Sequence, residues 1–341
     1  MKTTATISAL LGLASFTSAH YTFDKLLVND VKQGGDNTYI RKHTRGYMPT
    51  KGTEILAKDF TCNTNAQPAP QVMTVKPGDK IGFQQAFGAN AIEHPGPTQV
   101  YMTAAPNGAK SADGSGDWFK VAQSLICKAG NAESLRNKAW CSWGENNVNF
   151  VMPETVPDGE YLVRAEHIAL HGAHAGAAEF YYACAQIKVQ GSKATAAPGP
   201  TTKIPGVYAV KDKAINFSLW GSSTAYNETP GIPVIAGGEI RGSADGKSGD
   251  KRVAAPGASG SSNAAPANNN NAAAPANNNN AAAPANNNNA AAPANNNNNA
   301  APAGNNNKKP VGSKDFGGND NNAAAAGSSG CKSRRARRSN N

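Results

Sequence analysis

Six histidines offer the clearest chemistry in this sequence, and the first of them stands at a predicted cleavage point. Residues 1–19 have the features of a secretion signal, with a positive start at Lys2, an apolar core over 9–16 and small residues over 17–19. Cleavage after residue 19 would make His20 the first residue of the mature chain. Its α-amine and its imidazole could then chelate one metal ion, provided that the amine loses its proton.

A second histidine lies in a stretch that restricts the backbone. His94 is followed by Pro95, Gly96 and Pro97 and then by an apolar run at Val100–Met102. Because proline fixes φ and this composition favours a turn, the ring of His94 should be held in one place. His94 is therefore a second candidate metal ligand.

Three further histidines form a cluster in the sequence. His167, His171 and His174 are spaced by four and three residues, which could bring them to one face of a helix. Such a cluster would suggest zinc. Gly172 and Gly176 argue against a helix there, so ordinary loop or core histidines are the main alternative.

The elements that must position these side chains are predicted to be short β-strands. Extended runs alternate with turn signals such as Pro77-Gly78-Asp79 and Pro157-Asp158-Gly159, and one short helical turn is expected within 132–139. This pattern predicts an all-β fold, an immunoglobulin- or fibronectin-III-like antiparallel β-sandwich with long loops. The predicted strands are Tyr21–Val28, Gln71–Val75, Lys80–Phe83, Val148–Met152, Tyr161–Ala165 and Phe180–Val189.

The chain changes character near residue 240. Residues 20–240 carry 20 Lys and Arg against 19 Asp and Glu, whereas residues 241–341 carry 12 against 4. The nearly neutral first part does not favour a nucleic-acid groove, and no stretch after the signal has the ~20 apolar residues of a membrane span. We therefore expect a folded domain over 20–240 and a disordered tail over 241–341.

The composition of the tail supports the prediction of disorder. Its Ala-, Pro- and Asn-rich units could also suit a β-helix, but they lack the apolar residues that such a fold stacks inside. The basic end, Cys331–Ser339, could attach to acidic wall polymers; a solvated end that proteases trim is the alternative. The repeat has a period of nine residues, marked by Pro266, Pro275, Pro284, Pro293 and Pro302.

Five stretches, in order along the chain, resemble a known family. Together they are similar to the fungal lytic polysaccharide monooxygenases of auxiliary activity family 9, formerly glycoside hydrolase family 61, over residues 20 to about 208. The stretches are His20-Tyr-Thr-Phe, His94-Pro-Gly-Pro-Thr-Gln-Val-Tyr-Met102, Ser115-Gly-Asp-Trp-Phe-Lys120, Gly159-Glu-Tyr-Leu-Val-Arg164, and Ile168-Ala-Leu-His171 with Glu179-Phe-Tyr181 and Cys184-Ala-Gln-Ile187.

The resemblance implies a type-2 copper site. The α-amine and one ring nitrogen of His20 would bind copper, the ring of His94 would supply a third nitrogen, and Tyr181 would stand at the axial position. Such a set suits tetragonal Cu(II) and leaves positions open for O2 or H2O2. His171 and Glu179 would lie near these positions and act with Tyr181 in catalysis. The family usually has Gln where this chain has Glu179, so the chain adds a negative charge there.

The cysteines are interpreted in the same way. A secreted chain meets an oxidising compartment, so four of the five cysteines are expected to form two disulfides. The resemblance pairs Cys62 with Cys184 and Cys127 with Cys141. Cys331 is then left over in the tail.

Several residues are candidates for a role at the protein surface, either in glycosylation or in sugar binding. The sequons at Asn216 and Asn227 are candidate glycosylation sites. Tyr21 and Tyr208, which lie within resembling stretches, are candidates to stack on sugar rings, as is Tyr226. Tyrosines in a sandwich are as often in the core, and that alternative stays open.

The resulting expectation is a secreted, monomeric, copper-dependent monooxygenase. It would oxidise C1 or C4 of β-1,4-glucan chains, with cellulose or a related glucan as substrate, using O2 or H2O2 and an external electron donor, either a small molecule or a protein. The alternatives are a non-enzymatic copper- or wall-binding protein that keeps the copper site, and a structural wall protein that acts through its basic tail. A serine hydrolase is disfavoured because the chain has no Gly-x-Ser-x-Gly elbow.

Overall fold

Two packed β-sheets form the framework of the chain in a computed structural model, which describes residues 20–86 and 91–254. The predicted signal over 1–19 and the repeat tail with Cys331 lie outside the described residues. The strands are β1 (Phe23–Val28), β2 (Val31–Gln33), β3 (Thr50–Lys51), β4 (Met73–Val75), β5 (Lys80–Gln85), β6 (Thr98–Ala104), β7 (Trp118–Ser124), β8 (Asn147–Val151), β9 (Gly159–Ala169), β10 (Glu179–Val189), β11 (Val234–Arg241) and β12 (Lys251–Arg252).

The strands divide between a smaller and a larger sheet. The smaller sheet has the order β2-β1-β5-β8, and the larger has the order β12-β11-β7-β6-β9-β10-β3, with β4 paired to β10. Within the described ranges, β4 and β10 are parallel, as are β7 and β11, and the other paired strands are antiparallel. The predicted all-β sandwich is confirmed, and each predicted strand overlaps an observed one.

Helical structure is confined to short turns in the part of the chain that the structure describes. The helix α1 (Ala132–Leu135) falls within the expected 132–139. The 3-10 turns are Gly52–Leu56, Lys58–Phe60 and Ala173–Ala175. Among the described helices, none has the length and apolar character to cross a membrane.

The main core lies between the two sheets. Because side chains alternate along a strand, β10 sends Tyr181, Ala183 and Ile187 into this core and Phe180 and Tyr182 to its other face. Burying the apolar side chains of both sheets here is the main favourable term that holds the sandwich together.

A second core covers the outer face of the larger sheet. Long connections fold over this face, bury Trp118 of β7 and pack their own Trp140 and Leu219 against the sheet. Nearly every residue of β9 and β10 is therefore buried, on both faces of the strand, including the Arg164–Glu166 ion pair of β9.

Regular structure continues past residue 240. The expected boundary falls inside β11, and the chain returns to pair β12 with it. The Arg241 guanidinium lies 2.8 Å from a carboxylate oxygen of Glu145, and Ser243 forms a β-bridge with Ile126. These contacts hold a Gly-, Ser- and charge-rich segment whose composition alone indicates a linker.

The two expected disulfides are confirmed. Cys62 is bonded to Cys184 over a sequence separation of 122, and Cys127 to Cys141 over a separation of 14. The first ties the connection before β4 to the middle of β10. The second closes the segment that contains α1.

We predict that the two disulfides differ in their contribution to stability. In the loop-entropy account, replacing Cys62 and Cys184 together by Ala should lower the free energy of unfolding by roughly 4–5 kcal/mol, against about 3 kcal/mol for Cys127 and Cys141. Urea unfolding of both double variants measures this difference, and a larger loss from the second pair would contradict the prediction.

Candidate metal centre

His20, His94 and Tyr181 meet at one end of the sandwich. The His20 and His94 rings lie 6.4 Å apart between centroids, at an interplanar angle of 78°. The Tyr181 ring lies 6.3 Å from the ring of His20 and 5.7 Å from that of His94. Residues that are far apart in the sequence are thus brought around one small volume.

This arrangement fits one metal ion between two imidazoles. Imidazole nitrogens bind first-row metals at about 2.0–2.1 Å, so two rings on opposite sides of an ion have centroids roughly 6 Å apart. Across residues 20–86 and 91–254, no three His, Cys, Asp or Glu side chains form a complete ligand group. A free α-amine on His20 would supply the third nitrogen that a tetragonal Cu(II) site favours.

Tyr21 anchors the backbone beside His20. Its ring stacks on that of Tyr181, with centroids 4.2 Å apart and an interplanar angle of 19°. Its hydroxyl is hydrogen-bonded to Nδ1 of His167. Tyr21 is only 6% exposed, so the structure corrects the expectation that this ring stacks on sugar: it packs beneath the site instead.

Thr22 supplies a second anchor. Its hydroxyl lies 2.8 Å from Nε2 of His43, and its carbonyl accepts a hydrogen bond from the Ala86 N–H at 2.9 Å. Burial, together with the nearby Arg45 charge, lowers the pKa of His43 to about 4. The imidazole is therefore neutral at physiological pH and can take part in the bond to Thr22.

The loop that carries His94 is fastened to the segment that begins in β9. The Leu170 N–H donates to the Pro95 carbonyl at 2.8 Å, and the Ile168 N–H donates to the Pro97 carbonyl at 3.0 Å. Between them, Gly96 has a φ of 155°, and a Cβ at this position would lie 1.8 Å from the Ile168 carbonyl oxygen. Only glycine permits this close approach.

Burial lowers the pKa of His94, and the nearby His171 lowers it further, which favours the neutral form that binds metals.

Glu179 is a buried carboxylate with three partners. Lys51 Nζ lies 2.5 Å from Oε1, the Tyr181 hydroxyl donates to Oε2 at 2.6 Å, and His171 Nε2 lies 3.6 Å from Oε1. Burial alone would raise the pKa of this carboxyl. The His171, Lys51 and Tyr181 contacts outweigh burial and hold the pKa well below its usual range, so Glu179 is ionised.

Tyr181 is correspondingly held as a neutral phenol. Burial raises the pKa of its hydroxyl, and the hydrogen bond to the Glu179 carboxylate raises it further. The phenol therefore keeps its proton and directs it at Glu179. Tyr181 therefore presents a neutral phenol, rather than a phenolate, beside the two imidazoles.

The His167, His171 and His174 cluster does not share one face. His167 lies within β9 and is fully buried, and burial lowers its pKa to about 3. His171 follows β9, with its ring 4.9 Å from that of His94, while His174 lies in the 3-10 turn at Ala173–Ala175. A zinc site built from these three residues is therefore not formed.

Tyr208 and Tyr226 lie in the second core rather than at the surface. Tyr208 is 2% exposed, and its hydroxyl donates to Glu166 at 2.6 Å; Glu166 is itself paired with the buried Arg164. The Tyr226 hydroxyl donates to the Ala214 carbonyl at 2.9 Å. The expected sugar contacts of both tyrosines are corrected accordingly.

Trp220 is an aromatic residue at the site that residue type and spacing do not single out. It is 56% exposed, and its indole N–H donates to the His171 carbonyl at 2.9 Å. The Arg136 guanidinium lies 5.6 Å from the ring centroid and supports one side of it. Trp220 thus displays a broad aromatic surface next to His171.

The two sequons have different environments. The Asn216 side-chain nitrogen donates to the carbonyls of Val210 and Asp212, each at 2.8 Å. Asn227 is exposed. Asn227 is therefore the more accessible of the two for glycosylation.

The fold and the paired imidazoles define a class of protein, a β-sandwich with two histidine rings at one end that are spaced to hold a single metal ion. A family model places the chain more closely: Auxiliary Activity family 9, formerly GH61, matches residues 20–227. The chain belongs to this family, whose members are copper-dependent lytic polysaccharide monooxygenases that use O2 or H2O2 and an external reductant.

Individual relatives agree with this assignment. The chain is 44% identical over 237 residues to lytic polysaccharide monooxygenase G of Aspergillus tamarii, covering 69% of this chain and 71% of the relative. It is 46% identical over 246 residues to lytic polysaccharide monooxygenase A of Aspergillus fumigatus, covering 69% and 83%. Both relatives carry the name of the family.

Solved structures share the fold. A cellulose-active polysaccharide monooxygenase from M. thermophila has a TM-score of 0.52 at 27% identity, covering 63% of this chain and 98% of that one. The extended catalytic domain of H. jecorina LPMO9A has a TM-score of 0.56 at 23% identity, covering 64% and 92%. At that lower identity the second likeness concerns the fold alone.

We predict that Gly96→Ala disrupts the site. The added methyl group would collide with the Ile168 carbonyl, so the His94 loop must move, at a cost of about 3 kcal/mol in the free energy of unfolding and with weaker copper binding. Gly249→Ala is the matched control, because a Cβ there meets nothing within 4 Å, and it should change stability by less than about 0.5 kcal/mol. Urea unfolding and copper titration test both variants; equal behaviour would contradict the prediction.

Proposed function

We propose that the mature chain begins at His20 and holds one copper ion through the α-amine and ring of His20 and the ring of His94, with Tyr181 at the axial side. The observation that carries this proposal is the placement of two imidazoles at a 6.4 Å centroid distance beside a buried phenol. The Tyr21 and Thr22 contacts support it, because they hold a segment that would otherwise fray.

Copper bound there and reduced by an external donor supplies, with O2 or H2O2, an oxidant strong enough to remove hydrogen from a sugar C–H bond. The protein residues around it have separate tasks. His171, whose ring is partly exposed and whose Nε2 faces Glu179 at 3.6 Å, is placed to orient the co-substrate. Glu179 accepts the hydrogen bond from Tyr181 and thereby fixes that phenol.

The proposed substrate is β-1,4-glucan, with cellulose as the first candidate, oxidised at C1, C4 or both. Two observations support a polysaccharide surface as the partner. Trp220 displays an aromatic face beside His171, and aromatic rings stack readily on sugar rings. One similar solved structure is that of a cellulose-active enzyme. The partners are thus the glucan and a small-molecule or protein reductant, and the chain acts as a monomer.

The proposed location is outside the cell. The sequence of residues 1–19, the two disulfides and the accessible sequon at Asn227 all agree with passage through an oxidising secretory route. Release of the His20 amine by signal cleavage is then part of making the metal site.

We predict that one extra residue ahead of His20 disables the site. An Ala–His20 form turns the amine into an amide, so Cu(II) affinity should fall by on the order of 100-fold or more. Competition titration with Cu(II) measures this loss. His174→Ala, in a form that begins at His20, is the control and should bind copper as the wild type does, since His174 is outside the proposed ligand set.

The wild-type form that begins at His20 and the form extended by one Ala also test the activity. With ascorbate and phosphoric-acid-swollen cellulose, the form that begins at His20 should release aldonic acids or C4-oxidised oligosaccharides, detected by mass spectrometry, and the extended form should not. Unaltered copper affinity of the extended form would refute the ligand set. Absence of oxidised products from a fully copper-loaded form that begins at His20 would refute the proposed action on cellulose.

We predict that Trp220 contributes to glucan binding. Trp220→Ala should weaken binding to swollen cellulose by roughly 3–10-fold, as expected for the loss of one aromatic contact, with Cu(II) affinity unchanged. Trp220→Phe keeps a ring but loses the hydrogen bond to His171, so it should retain most of the binding. Val31→Ala, at an exposed position in β2, is the control. A binding isotherm that is the same for all four proteins would exclude Trp220 as a contact.

A further inference from the structure

Glu179 brings a full negative charge to the edge of the proposed copper site. The residue is 5% exposed and shares its strand with Tyr181, two residues later on the same face. A buried ion that lacks a partner is costly, and it would also act strongly on a neighbouring metal ion because screening by solvent is weak there. The partner of this carboxylate therefore matters for both stability and metal chemistry.

That partner comes from β3. In the pairing of β3 with β10, Lys51 lies directly opposite Glu179, which places the two side chains on one face of the sheet. Lys51 Nζ contacts Oε1 at 2.5 Å, and the Tyr181 hydroxyl occupies Oε2. Both carboxylate oxygens are thus engaged, one by a cation and one by the phenol of the site.

Lys51 is itself held in place although its side chain is 42% exposed. Its backbone N–H donates to Glu54 Oε2 at 3.0 Å, and Glu54 is paired with Arg45 at 3.0 Å. The neighbouring Thr50 hydroxyl lies 2.9 Å from the Tyr182 hydroxyl of β10. The lysine therefore extends from a fixed backbone rather than from a mobile loop.

We propose that Lys51 is a positioning residue that tunes the metal centre by acting with Glu179 as one neutral pair. The inference rests on the proposed copper site. The ammonium cancels the charge of Glu179 while leaving its second oxygen to Tyr181. The pair therefore orients the phenol without stabilising Cu(II) over Cu(I) by an excess negative charge. The tuning depends on the sum of the two charges rather than on either residue alone.

If the summed charge of Lys51 and Glu179 tunes the metal ion, substitutions of the two residues should have opposite effects. If the pair only ties β3 to β10, they should not. Lys51→Met leaves a net negative charge, so the ratio of Cu(II) to Cu(I) affinity should rise on the order of tenfold. Glu179→Gln leaves a net positive charge, so this ratio should fall by a similar factor. The double variant is neutral again and should return to within about threefold of the wild type. A tenfold change corresponds to 59 mV in a one-electron potential.

The measurements are the two copper affinities, by competition titration, and the midpoint potential of the protein that begins at His20. Lys51→Arg should behave as the wild type because it keeps the cation. Lys188→Met is the matched control, since Lys188 is exposed near the opposite end of the same strand. Thermal unfolding of the metal-free proteins reports any loss of folding separately.

The outcomes distinguish failure of the proposed copper site from failure of the proposed role of Lys51. If the wild type binds no copper, the proposed function fails. If the wild type binds copper but Lys51→Met and Glu179→Gln shift the affinity ratio in the same direction, or leave it unchanged, the pair is a tether and the inference is wrong. Opposite shifts that cancel in the double variant support it.

Discussion

The stacking of Tyr21 on Tyr181 is the contact on which the site depends. A chain end has few neighbours and gains little from packing, so its backbone normally samples many conformations. Here the ring of Tyr21, the residue next to His20, stacks on the ring of Tyr181 and lies near that of His167, and its hydroxyl is hydrogen-bonded to His167. The ring of Tyr181, which would stand below the proposed copper ion, thus also holds the backbone next to His20.

Strand β10 connects the Tyr21–Tyr181 contact to the rest of the domain. Its inward face carries Glu179 and Tyr181, and its outward face carries Cys184, which is bonded to Cys62. Both faces are buried, so the strand has little freedom to twist or slip without exposing one of the two cores. The site is built on a rigid scaffold, which suits a reaction in which small displacements of a ligand would change the metal chemistry.

His94 could be predicted from the Pro-Gly-Pro stretch that follows it, and His20 from the predicted cleavage point, whereas Tyr181 could be identified only through the resemblance to the family. Lys51 could not, because its role follows from the register of a two-residue strand with no periodic signal of its own. Trp220 lies in irregular chain, where no pattern indicates which face is exposed. Tyr21 and Tyr208 show the opposite error: tyrosine suits both a sugar surface and a core, and only packing decides between them. The strands were easier to predict, since turn signals and apolar runs mark them locally.

The anchoring of Tyr21 and Thr22 also bears on the timing of maturation. Their contacts with Tyr181, His167, His43 and Ala86 do not use the α-amine of His20. Under the proposal that the mature chain begins at His20, these contacts can form whether the amine is free or still an amide. Anchoring of the segment and binding of a metal ion are then separate requirements, and only the second depends on cleavage.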